Sequence, residues 1–454
     1  MAMVEDARET ATGGTTGMVS RRILAVAFTV TVAFSGTVAS AGVAGAGDDE
    51  PDFSELEEIE EPKPCEDDQG VTDDTIKVGL ITITSGPQAT SWAPSSEEGV
   101  RARIDKANAD GELGDRQIEL VVVDDAGDVA RNLTAAQQLN EEDEVFGVIS
   151  VTNAAKGGAR YLNEEDVPVG GWHVGENVWG IYPNMFGWRN SQPPDPKETF
   201  TTRTADLLKE LGAKRIAVVG SNLESSAVNA DQTATAVEKT KGLKLAYKTT
   251  DVTPEQQDFT GVAAEIKAAN VDGVYTATAG LQANALSQAL TQADVELEAI
   301  VFPGGYDGRV LALPGYEGAY VGTEFRPLET GSPGLTEYTE AMEANGSEPQ
   351  RFFGFNGWFS ADVFIEGIKA AGVGCPTREA FINNLRLVEG YDAGGSFIPV
   401  DFAKVFGRIP ACIHYVQIVN QAFVPLFEGE PFCATKIVED GKVRKLKPSE
   451  IAIG

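Results

Sequence analysis

The sequence predicts an α/β protein made of two doubly wound parallel-sheet lobes, and three observations carry that prediction. From Thr75 onward, short β-branched and aliphatic runs alternate with helical patterns. The alternation breaks in an irregular aromatic stretch through Trp179, Tyr182, Phe186 and Trp188, then starts again, which implies two lobes with helices on both faces of each sheet. Three helical patterns without strands between them follow, at 335–344, 357–371 and 377–385. They are too small for a domain, so they complete one lobe and the chain crosses between lobes more than once.

The first strand, Thr75 to Ile83, is apolar on both faces, as in a parallel sheet. Ser85-Gly86-Pro87 ends it with turn chemistry, and Ser95 three residues before Glu98 has capping-box spacing for the next helix. The loop from Thr84 to Trp92 therefore lies at a strand's carboxyl end, where open α/β sheets bind ligands. Arg116 to Val123 is a strand ending in Asp124-Asp125, with Asp128 placed to cap a helix running to about Asn140. Phe146 to Val151 and Val167 to Val169 are further strands, ending in Thr152-Asn153 and in Gly171-Trp172-His173. Asp195-Pro196 reads as the start of a helix closing at Leu211-Gly212. Strands are then expected at 215–219, 243–250, 273–276, 298–302 and 319–325, separated by helices near 227–240, 259–269 and 282–293. Two closing strands, 413–419 and 422–426, join near Asn420-Gln421.

At the amino terminus, Ser20-Arg21-Arg22 precedes the apolar run Ile23 to Ser35 and then Ala39-Ser40-Ala41. This is the pattern of an export signal over residues 1–41, and the paired arginines hint at the twin-arginine route. The uncharged stretch to Gly47 is also long enough to anchor an uncleaved chain. From Asp48 to Asp74 there are fourteen acids and one lysine; residues 42–71 are read as a solvated acidic tether. The formal charge of −33 excludes nucleic acid as a partner, since phosphate binding requires clustered Lys and Arg.

Four cysteines permit three pairings. Cys412 and Cys433 bracket the closing hairpin, which favours a bridge between them and leaves Cys65 with Cys375, free thiols being the alternative. There is no Cys-x-x-Cys, and only two histidines, His173 and His414, so a zinc site has no support and no metal is expected. No phosphate loop, Gly-x-Gly-x-x-Gly after a strand or Gly-x-Ser-x-Gly elbow occurs, so no cofactor is implied. Asp124 and Asp125 are neighbours on a strand and point to opposite faces, which suits turn and cap roles better than paired acid–base chemistry.

Taken in order, Asp73-Asp74-Thr75-Ile76-Lys77-Val78-Gly79, then Ser85-Gly86-Pro87 and an aromatic, Val167-Pro168-Val169-Gly170 and Lys214-Arg215-Ile216-Ala217-Val218-Val219 resemble the type I solute-binding proteins of ABC importers. The similar branch is the leucine/isoleucine/valine-binding one. The resemblance implies the type I periplasmic-binding-protein fold, with two lobes joined by a three-crossover hinge and no catalysis. Lobe one would comprise 72–190 and 326–400, lobe two 191–325 and 401–454, and each proposed disulfide then falls within one lobe. The implied partners are a small-molecule ligand and importer membrane subunits, and the implied state is an exported monomer.

The resemblance also implies ligand positions. Trp92 matches a first-loop aromatic that covers the ligand, with Ser85 in the same loop. Ser150, Thr152 and Asn153 match a loop that offers hydroxyls and backbone N–H groups to a carboxylate, and the neighbouring loop brings Trp172 or His173 to the cleft. Ser225 and Ser226 stand where relatives carry a ligand-contacting tyrosine, and Thr278 and Ala279 where they carry another. Gly304 replaces a glutamate that pairs with an α-ammonium group. Because a buried ammonium needs an acid partner, either Asp307 or another acid substitutes, or the ligand has no amino group. Tyr306, Phe355 and Trp358 are expected to line an aromatic pocket with Trp92 and Trp172. The expected ligand is a carboxylate with an apolar or aromatic body rather than a branched-chain amino acid. The alternatives are an exported sensory ectodomain and, centred on His173, a hydrolase.

Overall fold

The computed structural model describes residues 53–62, 68–174, 176–189, 192–253, 255–278 and 280–452. The export-signal stretch and Cys65 lie outside them, as does Ala279.

Lobe one begins with β1 (Thr75–Thr82), the short α1 (Ala89–Trp92) and α2 (Ser95–Asp110). Next come β2 (Gln117–Asp124), α3 (Val129–Gln137), β3 (Gly147–Val151), α4 (Ala159–Glu164), β4 (Val169–Gly171) and β5 (Met185–Gly187). The five strands form one parallel sheet in the order β2-β1-β3-β4-β5. Ile76, Val78 and Leu80 of β1 are fully buried against one helical layer, and Ile81 against the other, as a two-faced strand requires. The capping-box expectation for α2 is not met. Its first helical residue is Ser95 itself, preceded by Pro94, and the Ser95 hydroxyl donates to the Trp92 carbonyl.

Asp195 caps only a turn, accepting from the Lys197 amide, and the expected helix there is replaced by β6 (Thr199–Thr201) followed by α5 (Arg203–Glu210). Phe200 is buried in a small antiparallel sheet, and that burial outweighs the local Asp-Pro signal. Lobe two then runs through β7 (Arg215–Ser221), α6 (Glu224–Lys239), β8 (Lys244–Val252), α7 (Thr260–Ala268), β9 (Gly273–Thr276), α8 (Gly280–Gln292), β10 (Ala299–Phe302) and β11 (Tyr320–Thr323). These strands are mutually parallel.

The chain next returns to lobe one with α9 (Pro333–Ala344), α10 (Phe352–Ala371) and α11 (Arg378–Leu387). It crosses back to add β12 (Cys412–Val419) and β13 (Ala422–Pro425) antiparallel at the edge of the second sheet. Asn420 and Gln421 both have positive φ, 52° and 60°, as a two-residue hairpin turn demands. A short strand, β14 (Phe432–Cys433), places Cys433 directly opposite Cys412, and the two are disulfide-bonded. Finally β15 (Lys436–Glu439) and β16 (Lys442–Lys445) complete the small sheet with β6.

Two packing features hold the lobes. Helices α2 and α10 cross with backbones nearly touching: a Cβ on Gly99 would stand 2.1 Å from the Gly354 carbonyl oxygen, and one on Gly357 equally close to that of Ser96. The three passages between lobes each contribute an aromatic ring to one side chain of α10. Ring centres of Trp188, Phe325 and Phe397 lie 5.1, 5.7 and 5.4 Å from that of Phe359.

The acidic stretch departs from expectation. Over 53–62 it lies along α11 instead of standing free. Asn384 donates to the Ile59 carbonyl and accepts from its amide, at 2.9 and 2.8 Å, and Asn383 donates to the Glu57 carbonyl. Phe53 meets Phe406 edge-on and lies under the Arg386 guanidinium. Phe53, Leu56 and Ile59 are half-buried while Glu55, Glu57, Glu58 and Glu60 face solvent, so the charges are kept hydrated while the backbone is tied down.

Candidate ligand-binding cleft

Loops that follow the parallel strands of the two lobes meet one another, and carboxylates at the end of β2 organise those of lobe one. Asp124 accepts the Thr84 amide at 2.8 Å, the Ser85 amide and the Ser85 hydroxyl. Burial would raise its pKa, but the Ser85 hydroxyl and the loop amides outweigh that and hold it to about 2. Asp125 points the other way. It is buried and accepts from Thr152 Oγ1 at 2.7 Å, Asn132 Nδ2 and the Gly127 amide, and burial raises its pKa. The pair is thus divided between two loops and forms no acid–base dyad. It also engages the Ser85 and Thr152 hydroxyls. Ser150 lies within β3, paired with Gly171. Asn153 donates to Gln88 at 2.8 Å, while its own buried Oδ1 has no partner.

Trp92 and Trp172 are brought together, 5.6 Å between ring centres. The other half of their cluster was not anticipated. Phe353 stacks on Trp92 at 4.2 Å, and Phe352 meets Trp172 edge-on at 5.5 Å. Both belong to the first turn of α10. Tyr306, Phe355 and Trp358 do not join this wall. Tyr306 is fully buried, donates to Glu329 at 2.6 Å, accepts from the Leu328 amide, and packs with Phe325 and Phe355. Trp358 lies edge-on to Tyr338 and lines a separate cavity of about 510 Å³ together with Arg103, Asp362 and Tyr391.

On lobe two, the Ser226 hydroxyl accepts from the Ser221 amide and donates to the Ala277 carbonyl. Ser225 is exposed, and Thr278 Oγ1 lies 2.8 Å from that of Thr276. Leu223 and Leu281, at the starts of α6 and α8, are 54% and 64% exposed. A Cβ at Gly304 would meet no atom within 4 Å.

Asp307 is fully occupied. It accepts from the Arg309 amide, Nε and an Nη at 2.8–2.9 Å, and from the Phe352 amide at 3.1 Å, with Arg351 at 3.5 Å. Burial would raise its pKa, but Arg309 and the Phe352 amide outweigh that and lower it. Arg309 in turn donates to the Thr90 and Ser91 carbonyls of lobe one. Asp307 therefore caps a lobe-one helix from lobe two, and with Arg309 it latches the lobes together instead of presenting a free carboxylate. Two further pairs span the lobes: His173 Nε2 stands 3.4 Å from Glu324 Oε1, and Lys156 Nζ 3.8 Å from Glu224. Among the described residues no group of three His, Cys, Asp or Glu side chains is placed to hold a metal ion, and no helix is long and apolar enough to cross a membrane.

Two parallel-sheet lobes, joined by three passages and facing each other through loops that carry an aromatic wall, define a two-lobed binding protein. The periplasmic binding protein family model matches residues 75–422, and the chain belongs to that family. A Leu/Ile/Val-binding protein homolog from Brucella melitensis is 23% identical over 314 residues, which are 65% of this chain and 79% of the relative. Among solved structures, a branched-chain amino acid ABC transporter protein from Thermus thermophilus with bound valine superposes with a TM-score of 0.67 at 16% identity, covering 80% of this chain and 98% of that one. A solute-binding protein from R. palustris in complex with benzoate gives 0.64 at 16% identity, covering 81% and 99%.

Proposed function

We propose that this chain is an exported, monomeric solute-binding protein that captures a small carboxylate with an aromatic or apolar body and delivers it to the membrane subunits of an ABC importer. Trp92, Trp172, Phe352 and Phe353 form one wall of the site; Leu223, Ser225, Thr278 and Leu281 approach from the other lobe. Closure about the hinge stabilises the ligand, and no bond is made or broken.

The observation that carries the ligand class is the commitment of Asp307 to the Phe352 amide and two arginines. With Gly304 in place of an acid, an α-ammonium group would enter a cleft with no carboxylate reserved for it, at a cost of several kcal/mol. Of the ligands bound in the two solved structures named above, valine and benzoate, the second fits this wall better. Native mass spectrometry of the protein purified from its own host is expected to show a co-purifying organic acid without an amine. Recovery of leucine, isoleucine or valine instead would contradict the reading.

A further inference from the structure

Four ionisable side chains gather where the cleft meets the hinge. Strands β4 and β5 are paired in register, Gly171 opposite Gly187, and the Trp188 amide donates to the Gly171 carbonyl. Just beyond these paired strands stand His173 and Arg189, each two residues past its paired glycine. His173 is 2% exposed and Arg189 is fully buried. Glu324, from the end of β11, faces His173 Nε2 at 3.4 Å and feels the positive charges of Arg189 and Arg203.

The donors of this cluster are incompletely used. One Arg189 Nη donates to the Cys412 carbonyl, but its Nε and its other Nη have no partner, nor does Nδ1 of His173. A buried guanidinium with free N–H groups attracts an anion. In the loop expected to receive a carboxylate, the Thr152 hydroxyl is already bound to Asp125, and the Ser85 hydroxyl of the first loop is bound to Asp124.

We propose that His173 and Arg189 receive the ligand's carboxylate, with Glu324 positioning His173, and that His173 takes up a proton as the carboxylate arrives. This rests on the carboxylate reading above. The proton follows from the tautomer. Nε2 faces Glu324 and so carries a hydrogen, and Nδ1 donates to a second carboxylate only in the imidazolium form.

Of the groups around His173, one neighbour has a carboxyl brought near neutrality. Burial would raise Glu324, but His173, Arg189 and Arg203 hold it to about 2, and burial with Arg189 nearby pushes His414 down to about 4. Burial lowers Arg189 only to about 10. The neighbour is Glu176, which burial raises to about 8 although it accepts the Lys156 amide.

The test is calorimetric titration of the intact protein with benzoate, 4-hydroxybenzoate and octanoate at about pH 5.5 and about pH 8, in buffers of differing ionisation heat. The expected result is uptake of about one proton and roughly tenfold or more weaker binding at the higher pH. His173→Gln should bind more weakly at the lower pH and lose the pH dependence, whereas Glu176→Gln should keep it. Binding without proton uptake, or a pH dependence that survives in His173→Gln and vanishes in Glu176→Gln, would overturn this proposal and leave carboxylate capture standing. A folded protein that binds none of the three acids would overturn both.

Discussion

Replacing Arg103 by alanine is expected to destabilise the protein by about 3–5 kcal/mol, the cost of removing the cation from a buried charge network. Arg103 of α2 is 4% exposed. Its guanidinium grips Glu112 with two bonds of 2.7 and 2.9 Å, and its Nε donates to Asp362 at 2.6 Å. It also lies 5.7 Å from the centre of the Trp358 ring. Burial works against its charge, but Glu112 and Asp362 outweigh burial and raise its pKa; the same contacts, with Lys369, hold Glu112 to about 2 although burial acts in the opposite direction. The alanine variant leaves Asp362 with only the Tyr391 hydroxyl, and Glu112 with only Lys369. The pH dependence has a definite sign. A carboxylate depressed in the folded state contributes stability above its unfolded pKa and loses it as pH falls through the folded value. The gap between wild type and Arg103→Ala should therefore be full above about pH 4.5 and narrow toward about pH 2. Urea unfolding across that range checks both size and sign; a gap that does not change with pH would mean the loss is one of packing alone.

Truncating Phe359 to alanine is expected to cost about 3–5 kcal/mol, the range for a fully buried phenylalanine whose site cannot collapse. Collapse is hindered because the ring touches one aromatic from each of the three passages between lobes, and Trp188 also packs on Phe397 at 5.1 Å. Any one of them moving into the void would pull its passage away from the other two. Phe359→Leu keeps much of the volume and should lose clearly less. The midpoint of chemical unfolding reads the effect, and a loss below about 1 kcal/mol for the alanine variant would show that the passages support one another without this residue.

What could be read from the sequence was what depends on nearby residues. The two-faced β1 and the turn at Asn420-Gln421 follow from patterns a few residues long, and the Cys412–Cys433 bridge from two cysteines that flank one hairpin, 21 residues apart. The aromatic wall was half legible. Trp92 lies in the first loop after β1 and Trp172 directly follows β4, whereas Phe352 and Phe353 lie in a helical turn that Gly354 and Gly357 disguise, since glycine is a poor helix former. Those glycines are there for the contact with Gly99 and Ser96 of α2, more than 250 residues earlier in the chain. The turn is capped by Asp307 across the cleft, so nothing adjacent to it signals its start. The same holds for residues 53–62. Their composition suggests a free acidic strand, and only the asparagine pair on α11 reveals that its backbone is bound. Asp307 shows the same limit from the other side. Its acidity was evident, but its engagement by Arg309, Arg351 and the Phe352 amide belongs to the assembled lobes.

The central claim is that two lobes close on an organic acid with no amino group. It is tested most directly by calorimetric titration of the purified, ligand-stripped protein with benzoate-type acids and with leucine under the same conditions. Binding of an acid at about micromolar Kd or tighter, with leucine giving no heat, is the predicted result. Micromolar binding of leucine with the acids silent would contradict it.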